Sequence, residues 1–179
     1  MTLRDAVAAD VPALVRLINR AYLVEREFKA GDRTDASEVR ALLAAGTFIV
    51  APDVAPDAAL AAVASDVALQ GCAYVAVAGD RAKLALLSVD PDRQGRGIGG
   101  RLIAAVEARA RDAGCREIAI QVVNRRRELF PFYEKRGYVA RGTDPFEDPS
   151  LLAPCHFVRM AKPLDAAPRP REDAAPAAT

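Results

Sequence analysis

The chain has 179 residues, 51% of them hydrophobic, with 25 Lys and Arg against 24 Asp and Glu and a formal net charge of +1. That length suits one domain with a sizeable core, and the near-neutral balance lacks the basic excess of a protein that binds nucleic acid or a membrane surface. No apolar run reaches the ~18 residues of a membrane span, the opening MTLRDAVAAD lacks the apolar core of a signal peptide, and the three cysteines (Cys72, Cys115, Cys155) are odd in number and far apart, which fits a reduced cytoplasmic compartment with no disulfide framework and no structural zinc.

A short apolar segment comes first, then AADVPALVRLINRAYL. Asp10 is a candidate N-cap and Pro12 suits a first helical turn. Val11, Leu14, Val15, Ile18, Ala21 and Tyr22 keep helical spacing. A polar connection with Gly31 leads to a second helix, DASEVRALLAAG, which Gly46 should end in the left-handed position. Three strands are predicted next: TFIVA, DVALQGCAYVAVAG and DRAKLALLSVD. The last two are joined by Gly79-Asp80 as a hairpin. The Ala/Pro-rich PDVAPDAALAAVASD between the first two reads as a loop.

The stretch DPDRQGRGIGGRL opens the next helix, IGGRLIAAVEARARDAG. Ile98, Leu102, Ile103, Val106 and Ala110 line its apolar face, Glu107 and Arg111 can pair on the other, and Gly114 ends it. REIAIQVVN is a strand. ELFPFYEKRG is a short helix in which Pro131 is tolerated only near the start, with Gly137 at its end. YVARGT and CHFVRMAKPL are the final strands, and DAAPRPREDAAPAAT has almost nothing to bury and reads as a disordered tail. The element order predicts one α+β or mixed α/β domain on a single sheet, residues 1–164, followed by the tail, 165–179.

Four glycines between Gly95 and Gly100 are costly in conformational entropy. Their use is chemical. A strand feeds this turn and a helix leaves it, so unpaired N–H groups and the positive end of the helix dipole converge there. Without side chains in the way, an anion can approach the main chain. Arg93, Arg96 and Arg101 add positive charge at the rim. The turn therefore reads as a pyrophosphate site, against the plain alternative of packing glycines. No Lys-Ser/Thr follows, so it is not a Walker A loop. Gly95, Gly97 and Gly100 match G-x-G-x-x-G, but a mid-chain position after a hairpin, with no acid ending the next strand, rejects a nicotinamide fingerprint.

LLSVDPDRQGRGIGGRLI resembles the acyl-CoA motif of the GNAT superfamily of N-acyltransferases, with Gln94, Gly97 and Gly99 in the positions of Gln/Arg-x-x-Gly-x-Gly/Ala. FYEKRGY, Phe132 to Tyr138, is similar to that family's second motif, and LRDAVAADVPALVRLINRAY to its first strand and helix. The resemblance covers Thr2 to Leu164. It implies a mostly antiparallel twisted sheet flanked by helices, with a splayed strand pair that binds CoA. It implies acetyl-CoA as co-substrate, no metal, and transfer of acetyl to a primary amine by direct attack. Leu87, Ser88 and Val89 would pair with the pantetheine arm, and the Val89 N–H would face the thioester carbonyl as an oxyanion donor. Gln94, Gly95, Arg96, Gly97, Ile98, Gly99 and Gly100 would hold the pyrophosphate. Tyr133 would protonate the leaving thiolate, against the alternative of a core tyrosine.

Where many members carry an asparagine, seven residues before that tyrosine, this chain has Arg126. Asn124 is a substitute candidate for the pantetheine contact. Arg125, Arg126 and Arg127 could meet the ribose 3′-phosphate or form a solvated basic surface. An acceptor amine needs a base, because it is ordinarily protonated. Glu25, Glu27 and Asp35 border the expected acceptor side, with solvated helix-end roles as their alternative. Arg33 and Thr34 are candidate acceptor contacts. His156, the one histidine, has a suitable ordinary pKa but sits on a strand, where structural roles are usual. Cys155 and His156 are adjacent on that strand, point to opposite faces and cannot pair as a nucleophile. The expected acceptor is a small-molecule amine. A peptide or protein amine, a non-catalytic CoA sensor and a nucleotide-binding regulator are the alternatives. A homodimer is compatible with the resemblance.

Overall fold

A computed structural model describes residues 2–53 and 68–165. Seven strands form one sheet: β1 (Arg4–Asp5), β2 (Thr47–Pro52), β3 (Leu69–Ala78), β4 (Arg81–Val89), β5 (Glu117–Val123), β6 (Val139–Pro145) and β7 (His156–Pro163). The order across the sheet is β1-β2-β3-β4-β5-β7-β6. Only β4 and β5 pair in parallel; the other neighbours are antiparallel. Among the described residues four helices flank it: α1 (Val11–Ala21), α2 (Ala36–Ala45), α3 (Ile98–Asp112) and α4 (Leu129–Glu134). The predicted fold class and the Gly79-Asp80 hairpin are as observed, with Ala78 paired to Arg81. The last strand inserts between β5 and β6, an order that no local signal in the sequence specifies.

Both faces of the sheet are covered, so the central strands are apolar on both sides. On β2, Phe48 and Val50 join Leu14, Ile18 and Val39 under α1 and α2. Ile49 and Ala51 join Leu102, Ile103 and Val106 under α3. That is the period-2 alternation of a pleated strand. Strand β4 breaks it. Ala82 and Leu84 lie on the α3 side, and Leu86 should follow them, yet Leu86 is on the α1 side. The register with β3 slips between Cys72 and Tyr74, and Leu86 takes φ of 48°. This is a β-bulge, which shifts the alternation by one residue. It turns Leu87 and Val89 toward α3 and α4.

Three local expectations are corrected. Asp10 does not cap α1 through its side chain. Its carboxylate instead accepts from Arg4 Nη1 and Nη2 and from the Val7 N–H, each at 2.7 Å. Gly46 is extended, with φ of −168°. Glycine is needed there for close approach, since a Cβ would come within 2.5 Å of the Tyr74 hydroxyl and 2.6 Å of the Val75 carbonyl. Glu107 pairs with Arg111 as predicted, at 3.3 Å, but it is buried and also meets Lys162 at 2.7 Å. Leu164 is buried, and its N–H donates to the Arg116 carbonyl. The predicted tail from residue 166 on, and all of the predicted Ala/Pro-rich loop but its first two residues, lie outside the described residues.

Candidate active site

Strands β4 and β5 pair only where Arg81–Lys83 face Glu117–Ala119. Beyond Lys83 the two strands separate, although both continue. The Asp90 N–H donates to the Gln70 carbonyl on β3 at 2.9 Å. Successive N–H groups alternate along a strand, so those of Leu87 and Val89 face the side that β5 has left. Ser88 is buried, and its hydroxyl donates to the Leu86 carbonyl at 3.2 Å. Its side chain is therefore structural.

The glycine turn follows directly. A short 3-10 turn, Pro91–Arg93, is capped by the Asp90 carboxylate, which accepts from the Asp92 N–H. Arg20 of α1 grips both Asp90, at 2.8 Å, and Asp92, at 2.6 Å. Gly95 and Gly97 are left-handed, with φ of 75° and 78°, and a Cβ at either would point into open space. Their need for glycine is conformational. Gly97 is the N-cap of α3 and no side chain caps the helix there, so the first N–H groups face outward. Ile98 sends its side chain into the core. The Gln94 side chain donates back to the Val89 carbonyl at 3.4 Å. Of the rim arginines, Arg93 is held by Asp53 at 2.7 Å. Arg96 and Arg101 are exposed.

Helix α4 lies across the first turn of α3. Phe132 comes within 3.4 Å of where a Gly99 Cβ would be, and the Arg136 guanidinium within 2.9 Å of the same position at Gly100. Arg136 also stacks 3.8 Å above the Phe132 ring. These contacts close one wall of a cleft of about 570 Å³, bounded by Leu87, Val89, the glycine turn, Phe132, Arg136 and Arg126. Sequence reasoning missed Arg136. The signal was its position four residues after Phe132 on one helix face.

Tyr133 is buried behind that wall, edge-on to Phe132 at 5.2 Å and to Tyr138 at 5.7 Å. Burial pushes its hydroxyl pKa well up; Tyr22 adds to the rise and Arg126 opposes it. Those two side chains line the cleft.

Glu25 is buried in the 3-10 turn after α1. It borders both the cleft and a second, smaller cavity of about 130 Å³ in the β4–β5 wedge. Arg126 ion-pairs with it at 3.3 Å and with Glu128 at 2.6 Å. Burial raises the Glu25 carboxyl, and Arg126 and Arg33 offset part of that rise. Tyr22, beside it, is pushed up to about 12 by burial. Arg33 is half-buried, with its guanidinium 5.3 Å from the Tyr22 ring centroid. Its loop is held by Asn19, whose carboxamide oxygen accepts from the Arg33 and Thr34 N–H groups at 2.9 Å.

The other candidates lie apart from this junction. Thr34 is buried and donates to Glu38 at 2.8 Å. Asp35 caps α2, accepting from the Ser37 and Glu38 N–H groups. Glu27 is exposed and borders a separate cavity with Asn124, Arg125, Arg126 and Arg127. The Asn124 carboxamide oxygen accepts from the His156 N–H at 3.0 Å, so it extends the β5–β7 ladder by one step. His156 is exposed. Among the described residues no group of three or more His, Cys, Asp or Glu side chains is placed to hold a metal ion. No helix among them is long and apolar enough to cross a membrane.

No curated protein matches the chain in sequence. Three solved structures are similar in fold. Ribosomal-protein-S18-alanine N-acetyltransferase from Escherichia coli has a TM-score of 0.72 at 17% identity, over 94% of this chain and 96% of that one. Nourseothricin acetyltransferase has 0.67 at 17%, over 92% and 98%. The PaiA N-acetyltransferase of Thermoplasma acidophilum, solved in complex with coenzyme A, has 0.65 at 16%, over 90% and 98%. At such identities the likeness speaks for the fold. The sequence model of the Acetyltransferase (GNAT) family matches residues 12–138. That span holds the splayed strands, the glycine turn and α4, and the chain belongs to the GNAT acetyltransferase family.

Proposed function

We propose that this chain transfers an acetyl group from acetyl-CoA to the primary amine of a small molecule. One observation carries the reading. Strands β4 and β5 stop pairing after Lys83 while β4 runs on to the glycine turn, which leaves the outward N–H groups of Leu87 and Val89 and the uncapped start of α3 along one cleft. An extended amide-bearing arm can pair with the first, and a pyrophosphate suits the second. The chemistry that acetyl-CoA supplies when bound is an activated acyl carbon.

The family resemblance together with the places of these groups supports the following roles. Gln94 through Gly100 offer main-chain N–H groups to the pyrophosphate, with Arg136 as the nearby cation. The Val89 N–H donates to the thioester oxygen as negative charge develops on it. Glu25 takes the proton of the attacking amine, and its raised carboxyl suits a base working nearer neutrality. Tyr133 gives its proton to the departing sulfur, so the C–N bond forms as the C–S bond breaks. Its raised pKa keeps it in the protonated state that an acid needs. The small volume of the wedge cavity beside Glu25 supports a small acceptor over a protein surface.

Calorimetric titration of the protein with acetyl-CoA, beside ATP and NAD, tests the donor half. Selective binding of acetyl-CoA is expected. Binding of ATP or NAD in its place, or of none of the three, overturns the reading. Release of free thiol on adding amines then tests transfer.

A further inference from the structure

The wedge cavity carries a chemistry of its own. Part of its wall is apolar: Leu86 from β4, Val123 from β5, and Phe146 with Phe157, beside the polar Arg33, Lys83, Glu25 and Gln121. The two phenylalanine rings stack with centroids 4.3 Å apart and 24° between their planes. A flat apolar body can continue such a stack.

Charge is distributed unevenly around it. Most half-buried arginines among the described residues have a carboxylate: Arg4 with Asp10, Arg93 with Asp53, Arg109 with Asp5, Arg111 with Glu107, and Arg126 with Glu25 and Glu128. Arg33 and Arg136 have none within ion-pair distance; the charge of Glu25 acts on Arg33 from across the same cavity. Taking a guanidinium partly out of water is costly without an anion. Each of the two borders a cavity: Arg136 the donor cleft, Arg33 the wedge. Lys83 adds a second cation at the wedge rim. Among the described residues the one carboxylate bordering the wedge is Glu25, which borders both cavities.

We infer that the acceptor is a free aromatic α-amino acid. Its ring seats against the Phe146–Phe157 stack, its carboxylate pairs with Arg33, and its amine faces Glu25 at the mouth of the donor cleft. This rests on the acetyl-transfer reading above and adds the class of acceptor. An α-amino acid fits because Arg33 and Glu25 border one small cavity and the charge of Arg33 acts on the Glu25 carboxyl, so one compact molecule can meet both.

The test uses phenylalanine against phenethylamine, the same body without the carboxylate, with phenylalanine amide as a neutral control. Thiol release from acetyl-CoA is followed with each. Wild type is expected to favour phenylalanine over phenethylamine in kcat/KM by at least about tenfold, the worth of one charge-assisted contact. Arg33→Gln should bring that ratio close to one, and Arg33→Lys should restore part of it. A ratio near one in wild type, or a ratio unmoved in Arg33→Gln, overturns the inference. If acetyl-CoA binds but no amine releases thiol, it is the transfer reading that fails. The inference is then decided by melting temperature. Phenylalanine, and not phenethylamine, should stabilise the acetyl-CoA-loaded protein, and Arg33→Gln should abolish that shift. No such shift overturns it.

Discussion

The glycine turn and the β4–β5 wedge lie side by side and are built in opposite ways. The turn is one continuous stretch, Val89 to Gly100, and works through its main chain. The wedge is assembled from side chains of separate segments: Arg33, Leu86, Val123, Phe146 and Phe157. A main-chain site depends on what is absent, namely Cβ atoms. A side-chain site depends on what distant parts of the chain bring to it. The first should break when atoms are added and tolerate loss of nearby charge. The second should respond to single side chains.

The largest effect is expected behind the wall of the donor cleft. Tyr133→Phe should lower kcat by about 100-fold or more, the range for losing a general acid, with little change in acetyl-CoA affinity by calorimetry. Unchanged kcat would return Tyr133 to the role of a core residue. Next comes Gly97→Val. A β-branched residue held at φ of 78° costs about 1–3 kcal/mol, so acetyl-CoA affinity should fall by roughly 5- to 150-fold. Exposed Arg96→Ala should change it by no more than a few-fold, as screened surface charge is weak. If Arg96→Ala proves the more damaging, the turn is not a main-chain site.

A third prediction lies outside both regions. Asp10→Ala removes three hydrogen bonds to a nearly buried carboxylate and should cost about 1–3 kcal/mol of stability, without altering acetyl-CoA affinity. Burial works to raise the Asp10 carboxyl, but the bonds from Arg4 and the Val7 N–H outweigh it and hold the pKa below its ordinary value. The Asp10 contribution is therefore present above the ordinary pKa of about 3.9 and fades as the pH falls through the depressed one. Denaturation at neutral and at acid pH would check the sign.

The smallest effect concerns pH. If Glu25 is the base, kcat/KM rises as Glu25 loses its proton, and burial places that limb above the ordinary glutamate range. Arg126→Gln removes a charge that favours the ionised form, so the limb should move to higher pH. An unmoved limb would take Glu25, or its link to Arg126, out of the mechanism.

Most elements and the donor motif could be read directly. Glycine-rich turns, capping residues and apolar periodicity are local, and the hairpin at Gly79-Asp80 and the helix after Gly97 follow from them. Arg126 drew attention only as a departure from a family pattern. The structure gives it a place, between Glu25 and Glu128. Asn124 turned out to be committed to the His156 backbone, a partner 32 residues away that no spacing announces. Asp35 proved to be a helix cap, which its position before Ser37 and Glu38 already allowed.

The sequence by itself determined what one stretch of chain can decide through its own backbone: where strands alternate, where helices begin, and where glycine permits an anion to approach. Only the tertiary structure decided the rest. The insertion of β7 between β5 and β6, the bulge that turns Leu87 and Val89 toward α3 and α4, and the gathering of Arg33, Phe146 and Phe157 around one cavity all depend on contacts between residues far apart in the chain. Their energies come from packing and from charges taken out of water. Those quantities do not exist until the distant segments are brought together.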